Sequence, residues 1–157
     1  MADRVTQLLS DPTLAGDGAL DRAQTANLTV RADDFRAVGE FDETYRGAGY
    51  EDYEFCHRWR SSGRRLIAVP GAVVLHRRDT TPRRFWRQHL QYGRGAAHFY
   101  GRGHVEPQLP WRASLNRFAR TIGAGDNLAE QIGHLGWVGL SQVAMLTGFV
   151  AARISRS

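Results

Sequence analysis

The chain opens without a sustained hydrophobic period, and short alternating or helical stretches begin only at about residue 24. Over residues 24–31, Leu28 and Val30 alternate with Thr29 and Arg31, the period of a short, half-buried strand. A brief helix should follow. Asp33 or Asp34 suits its N-terminus, Phe35 and Val38 fall on one face, and Gly39 suits the left-handed position just past its end. After a connection rich in acidic residues and glycine, a better-marked helix is predicted over residues 51–62, stopped by Gly63. Residues 65–69 and 72–76 are apolar runs separated by Pro70-Gly71, which reads as two largely buried strands joined by a turn.

Beyond residue 76 the pattern turns helical. Pro82 suits a first helical turn, and Phe85, Trp86, His89, Leu90 and Tyr92 form an aromatic stripe beside Arg83, Arg84, Arg87 and Arg94. Gly93 and Gly95 weaken the far end of this helix. Pro107 and Pro110 mark a linker, and two more helices are expected over residues 111–122 and 127–154. The organisation predicted is an irregular lead-in (1–23), a central segment (24–100) and a helical C-terminal extension (101–157). The fold class is α/β, with a small mixed sheet against the residue-51 helix.

Composition narrows this picture a little. The chain has 157 residues, 42% of them hydrophobic, which excludes a disordered class and makes one compact domain the default. A single cysteine, Cys56, excludes an internal disulfide; no secretion signal is recognisable, and a reduced, cytoplasmic setting is expected. The net charge is +5 and all 21 basic residues are arginine. Guanidinium groups favour phosphate or carboxylate partners. A GC-rich genome accounts for most of that bias, so only the placement of the arginines is informative.

In the helix that begins at Glu51, the residues Asp52, Cys56 and Trp59 recur at spacings of four and three, so they share a face, while Glu54 and Arg58 pair beside it. Asp52 heads this face. Its first-turn position, near free backbone N–H groups and the positive end of the helix dipole, favours the ionised carboxylate. Taken alone, Glu51, Asp52 and Glu54 would be ordinary decoration of a helix start.

The surrounding residues add a family likeness. Thr25-Ala26-Asn27 with Arg31, Val38-Gly39-Glu40-Phe41-Asp42-Glu43, Gly49-Tyr50-Glu51-Asp52, Arg58, Gly63 and an apolar run ending in His76 together resemble the second half of the GT-A catalytic domain of family 2 and galactosyltransferase-type glycosyltransferases. The resemblance covers residues 24–98. It implies transfer of a sugar from a nucleotide-sugar donor to a hydroxyl of a carbohydrate or lipid-linked acceptor, with inversion. Asp52 would be the general base, Glu51 would orient the acceptor or cap the helix, Asn27, Tyr50 and Arg58 would contact donor or acceptor, and His76 would help hold Mg²⁺ or Mn²⁺ on the diphosphate. Glu40 departs from the pattern, where a second glycine is more usual; the expected cost is local turn geometry.

Other parts of such an enzyme are not legible. There is no Asp-x-Asp and no Gly-x-Gly-x-x-Gly turn, and no train of strands and helices precedes Asn27 to build a nucleotide crevice. A separate donor-binding chain is therefore expected; the alternative is a non-catalytic remnant or an acceptor-binding, peripheral membrane module. The arginines at 83, 84 and 87 with their aromatic neighbours suit anionic lipid or a pyrophosphate wall, with a solvated helix face as the plain alternative. No RNA-binding signature accompanies them, and no nucleic-acid partner is expected. Residues 135–152 contain no charged residue. That length reaches the minimum for a span, but the glycines and polar residues within it favour a buried or interfacial helix. Salt-sensitive contact with the inner face of the cell membrane is the resulting expectation.

Overall fold

A computed structural model of the chain describes residues 19–47, 49–75, 80–103 and 128–155. Backbone contacts divide it into two compact units, Pro12–Arg77 and a second built on Arg78–Ser157.

The first unit is organised by two helices, α1 (Ala32–Val38) and α2 (Glu51–Ser61), with a single 3-10 turn at Thr25–Asn27. α1 carries Asp33 and Asp34 in its first turn without a side-chain cap, and it ends at Gly39 with φ 94°, the left-handed position expected of that glycine. α2 buries Glu54, Phe55, Cys56 and Trp59. The core is Phe55, Cys56, Trp59 and Leu66, and Leu20, Ala23, Leu28, Val30, Phe35 and Val38 pack on it. Phe35 and Phe41 each lie within 5.3 Å of the Phe55 ring, centroid to centroid, so one aromatic cluster joins α1 to α2.

The expected mixed sheet is not there. Of the described residues 63% are helical and 3% are in strand pairing, with no sheet among them, which overturns the α/β, GT-A-like fold class. Leu28 and Val30 do alternate inward between exposed Thr29 and Arg31, but as an extended segment packed on α2. The segments at 65–69 and 72–75 were expected to be largely buried. Leu66 is, whereas Ile67, Val69, Val73, Val74 and Leu75 are exposed. The physical reason is a lack of neighbours. An apolar run becomes an interior strand only if other strands satisfy its backbone on both edges. Here the described pairing is one antiparallel bridge, Ala19 to Ile67, with Leu20 N–H donating to the Leu66 carbonyl at 2.8 Å. The turn at Pro70-Gly71 does form, closed by Ala72 N–H on the Val69 carbonyl.

The described part of the second unit is a helix pair, α3 (Pro82–Gly101) and α4 (Leu128–Ile154). Pro82 stands in the first turn of α3, and the Thr81 hydroxyl caps it by accepting from Arg84 N–H at 3.3 Å. Gly93 does not weaken the helix as expected; it is a contact point. A Cβ on Gly93 would stand 2.0 Å from the Met145 carbonyl oxygen, and one on Gly148 would stand 2.0 Å from the Leu90 carbonyl oxygen. The two backbones touch where only hydrogen fits. Phe85 packs edge-on against Trp137 at 4.7 Å, and Phe85, Ala96, Ala97, Phe99, Val138 and Ala144 are buried. The helix expected over residues 111–122 lies outside the described residues, as does most of the lead-in.

Candidate active site

The chain reaches α2 through a strained approach. Tyr50, the residue before the helix, has φ 73°, a left-handed conformation that a bulky side chain adopts only when its surroundings force it. Two contacts hold it there. The Glu51 carboxylate reaches back to accept Gly49 N–H at 2.5 Å, and the Tyr50 ring packs on Tyr53 at 4.7 Å. Glu51 is thus engaged with the backbone just ahead of the helix, and α2 has no side-chain cap. Glu40 adopts φ 57° directly after Gly39, so the position where the resembled pattern prefers a second glycine is indeed a left-handed one.

Asp52 lies half-buried in the first turn of α2, where its Oδ1 accepts Tyr53 N–H at 2.9 Å. Burial, and then the neighbouring Glu51 charge, push its carboxyl above the usual carboxylate range; hydrogen bonds from backbone N–H groups of Tyr53, Asp52 and Thr25 pull the other way and lose. The sequence reading had the helix start favouring the ionised form. Desolvation outweighs that effect, because the Leu20–Val30 segment is folded over this side of α2. The Thr25 contact crosses from the 3-10 turn to α2, and no local pattern announces it.

Several ties lock that segment down. Ala23 N–H donates to Cys56 Sγ at 3.3 Å, and the same thiol donates to the Ala23 carbonyl at 3.5 Å. Burial raises the Cys56 thiol, so it stays protonated and behaves as a packing group. Asn27 uses its amide on the Ala72 carbonyl at 2.8 Å, linking the turn to the exposed strand-like segment. Thr25 also helps line a cavity of about 130 Å³, walled by Leu28, Val30, Phe35, Phe41 and Phe55. On the other side Arg22 lies over the Tyr53 ring at 4.8 Å. Thr25 and Tyr53, whose backbone N–H groups reach the Asp52 carboxylate, belong to its surroundings, and the sequence reading gave neither a part there. The first-turn position of Asp52 could have pointed to the Tyr53 N–H; nothing local points to Thr25.

Arg58 has a different occupation. Its Nε donates to Glu54 Oε1 at 2.6 Å and Nη2 to Glu54 Oε2 at 2.8 Å, a bidentate pair with a carboxylate that is only 2% exposed. Nη1 donates to the Val38 carbonyl at 2.5 Å, and Nη2 also donates to the Glu40 carbonyl at 2.6 Å. The guanidinium staples the end of α1 and the left-handed turn after it to the middle of α2. Arg83, Arg84 and Arg87 are exposed on α3, in the second unit. His76 lies outside the described residues, and no group of three His, Cys, Asp or Glu side chains that could hold an ion occurs among those described.

The arrangement is a half-buried carboxylate with a raised proton affinity, set at a helix start two residues after a strained tyrosine. Such a carboxylate is chemically a base. Residues 18–82, which contain all of these groups, match the family model described as the N-terminal domain of galactosyltransferase, a glycosyltransferase family. The match covers less than half of the chain. Its description names neither family 2 nor a C-terminal half. No curated protein and no solved structure matches the chain.

Proposed function

We propose that the first unit is the acceptor-side part of a glycosyltransferase that moves a sugar from a nucleotide donor to an acceptor hydroxyl with inversion, and that Asp52 removes the proton from that hydroxyl. The observation that carries this reading is the raised, half-buried carboxylate of Asp52 inside the segment similar to galactosyltransferases. A carboxylate whose proton affinity is lifted by burial is, once ionised, a stronger base than a solvated one. As the acceptor oxygen attacks the anomeric carbon, the proton passes to Asp52 and the nucleoside diphosphate leaves. Tyr50 and Tyr53, the sequence neighbours of this acidic pair with rings packed on each other, would help position the acceptor. A divalent ion, Mg²⁺ or Mn²⁺, would neutralise the leaving diphosphate, and the described residues contain no group of side chains that fits such an ion. The donor-binding part is supplied by residues other than those described.

The test is sugar transfer in the complete enzyme, assayed across nucleotide-sugar donors with Asp52→Asn beside wild type. General-base removal predicts a kcat loss of about 10²–10⁴-fold with KM little changed. The wild-type rate should rise with pH through a midpoint above the usual carboxylate range, and the variant should lack that limb. Stability moves the other way. The native state holds the Asp52 proton to higher pH than the unfolded chain, so the ionised group destabilises the fold above the native pKa and not below the unfolded one. Asp52→Asn is therefore at least as stable as wild type at neutral pH, with the difference vanishing in acid. Turnover near wild type in the variant removes Asp52 from the mechanism.

A further inference from the structure

The second unit carries a surface that the transferase reading leaves unused. α4 buries His134, Val138, Ser141, Ala144 and Gly148 along one side. Its opposite side exposes Ile132, Val143, Leu146, Val150 and Ile154, all between 45% and 70% accessible. Gly136 and Gly139 lie among them with open space where a Cβ would stand. No Asp, Glu, Lys or Arg occurs from residue 131 to residue 152. α4 is long and apolar enough to cross a membrane, yet only 22% of its apolar window is buried in the protein. Its 27 residues make a strip of about 40 Å. An apolar strip of that length is covered by something.

The packing of α3 decides how it is covered. Phe85 meets Trp137, and Gly93 meets Met145 and Phe149, so the contacts advance in the same direction along both helices and the pair runs parallel. With Leu90 on Gly148 as well, residues 90–93 lie beside 145–149, so Arg87 and Arg94 fall on either side of that contact, along the second half of α4. On α3, Arg83, Arg87 and Arg94 recur at spacings of four and seven on an exposed face, while Phe85, His89, Gly93 and Ala96 form the buried one. The arginine face of α3 and the apolar face of α4 thus lie on different sides of the pair. Each helix covers the side of the other that neither lipid nor water takes.

We propose that the α3–α4 pair lies in the plane of a membrane, with the outer face of α4 sunk into the acyl boundary and the arginine face of α3 turned toward water. The amphipathic element is the pair and not either helix. A span by the intact pair would draw Arg87 and Arg94 into hydrocarbon beside the uncharged stretch of α4, which is costly. A second copy of the chain fits less well. A two-helix seam is narrow and edged by charged positions, whereas here the exposed arc also includes Ala129, Thr147 and Ala151, and no charge borders it over residues 131–152. The proposal does not depend on the transferase reading. It also reverses the salt-sensitive contact expected from the arginines, because the binding face is the uncharged one.

The experiment is flotation of the full chain with phosphatidylcholine vesicles, with and without phosphatidylglycerol, at low and high salt. Wild type should float with both compositions and stay bound at high salt. The triple change Arg83→Gln, Arg84→Gln, Arg87→Gln should alter the bound fraction by less than twofold, and Val143→Glu with Leu146→Glu should lower it at least tenfold. Val143→Trp keeps the test readable if the double change unfolds: its emission should shift to the blue on vesicles and be quenched by bromines placed near the headgroup end of the acyl chain. Release by salt or by the arginine changes overturns the proposal in favour of an arginine contact. A dimer by ultracentrifugation with no flotation assigns the face to a second copy. Carbonate-resistant binding with quenching only by bromines at the bilayer midplane shows a span.

Discussion

In the first unit a helix of 11 residues is held by polar ties to backbone far away in sequence; in the second, 20- and 27-residue helices are held by backbone contact at two glycines. The contrast has a cause. α2 is short, and its neighbours include an irregular segment and the end of α1, so a guanidinium and a thiol add directional ties to the aromatic cluster. α3 and α4 have regular surfaces that fit each other wherever side chains are absent. A unit tied by a few directional bonds can hold a carboxylate in a fixed, half-buried place. A unit packed along its length leaves a whole helix face free.

The comparison breaks most sharply at Arg58. Arg58→Ala leaves the Glu54 carboxylate, only 2% exposed, without its cation and frees the Val38 and Glu40 carbonyls. Removing one partner of such a buried pair costs about 3–5 kcal/mol, and Arg58→Lys should recover little, since one ammonium cannot serve three acceptors in this geometry. Urea denaturation followed at the α1–α2 aromatic cluster should show the loss, with the helical signal of the second unit unaffected. An unchanged midpoint would mean that the aromatic cluster alone holds α1.

A smaller effect is expected from Gly93→Ala. Alanine favours an isolated helix by about 0.8–1.0 kcal/mol over glycine, but its Cβ would stand 2.0 Å from the Met145 carbonyl oxygen. The helices must separate, and overpacking of this kind costs about 1–3 kcal/mol. Thermal unfolding by circular dichroism should lose stability in the helical transition. A gain would show that helix propensity, and not close approach, sets the stability of the second unit.

Glu40→Gly should give the smallest change, in the opposite direction. A non-glycine residue in the left-handed region pays about 1–2 kcal/mol, partly offset by the greater chain entropy of glycine. A net stabilisation of about 1 kcal/mol or less is expected, because Arg58 bonds only the Glu40 backbone carbonyl. Denaturant midpoints measure it; a clear loss would assign the Glu40 side chain a contact of its own.

The sequence by itself determined the described helices and most of their ends, though not the cap expected from Asp33 or Asp34. Gly39 and Gly63 adopt positive φ, Pro82 opens α3, and the spacing of Phe55, Cys56 and Trp59 buries them together. These are local matters of backbone freedom and side-chain period, which neighbouring residues carry. The likeness to galactosyltransferases was also legible, as an order of short motifs around Asp52. Pairing was not. Residues 65–69 and 72–75 have the composition of interior strands, but composition cannot say whether other strands are present to complete a sheet, and among the described residues none is. Only the tertiary structure raised the proton affinity of Asp52, since the segment that desolvates it lies some 30 residues earlier in the chain. It also turned Arg58 inward and set the arginines of α3 and the apolar face of α4 on different sides of the pair. Each of these depends on which surfaces meet, and that is decided by contacts between residues that no sequence period connects.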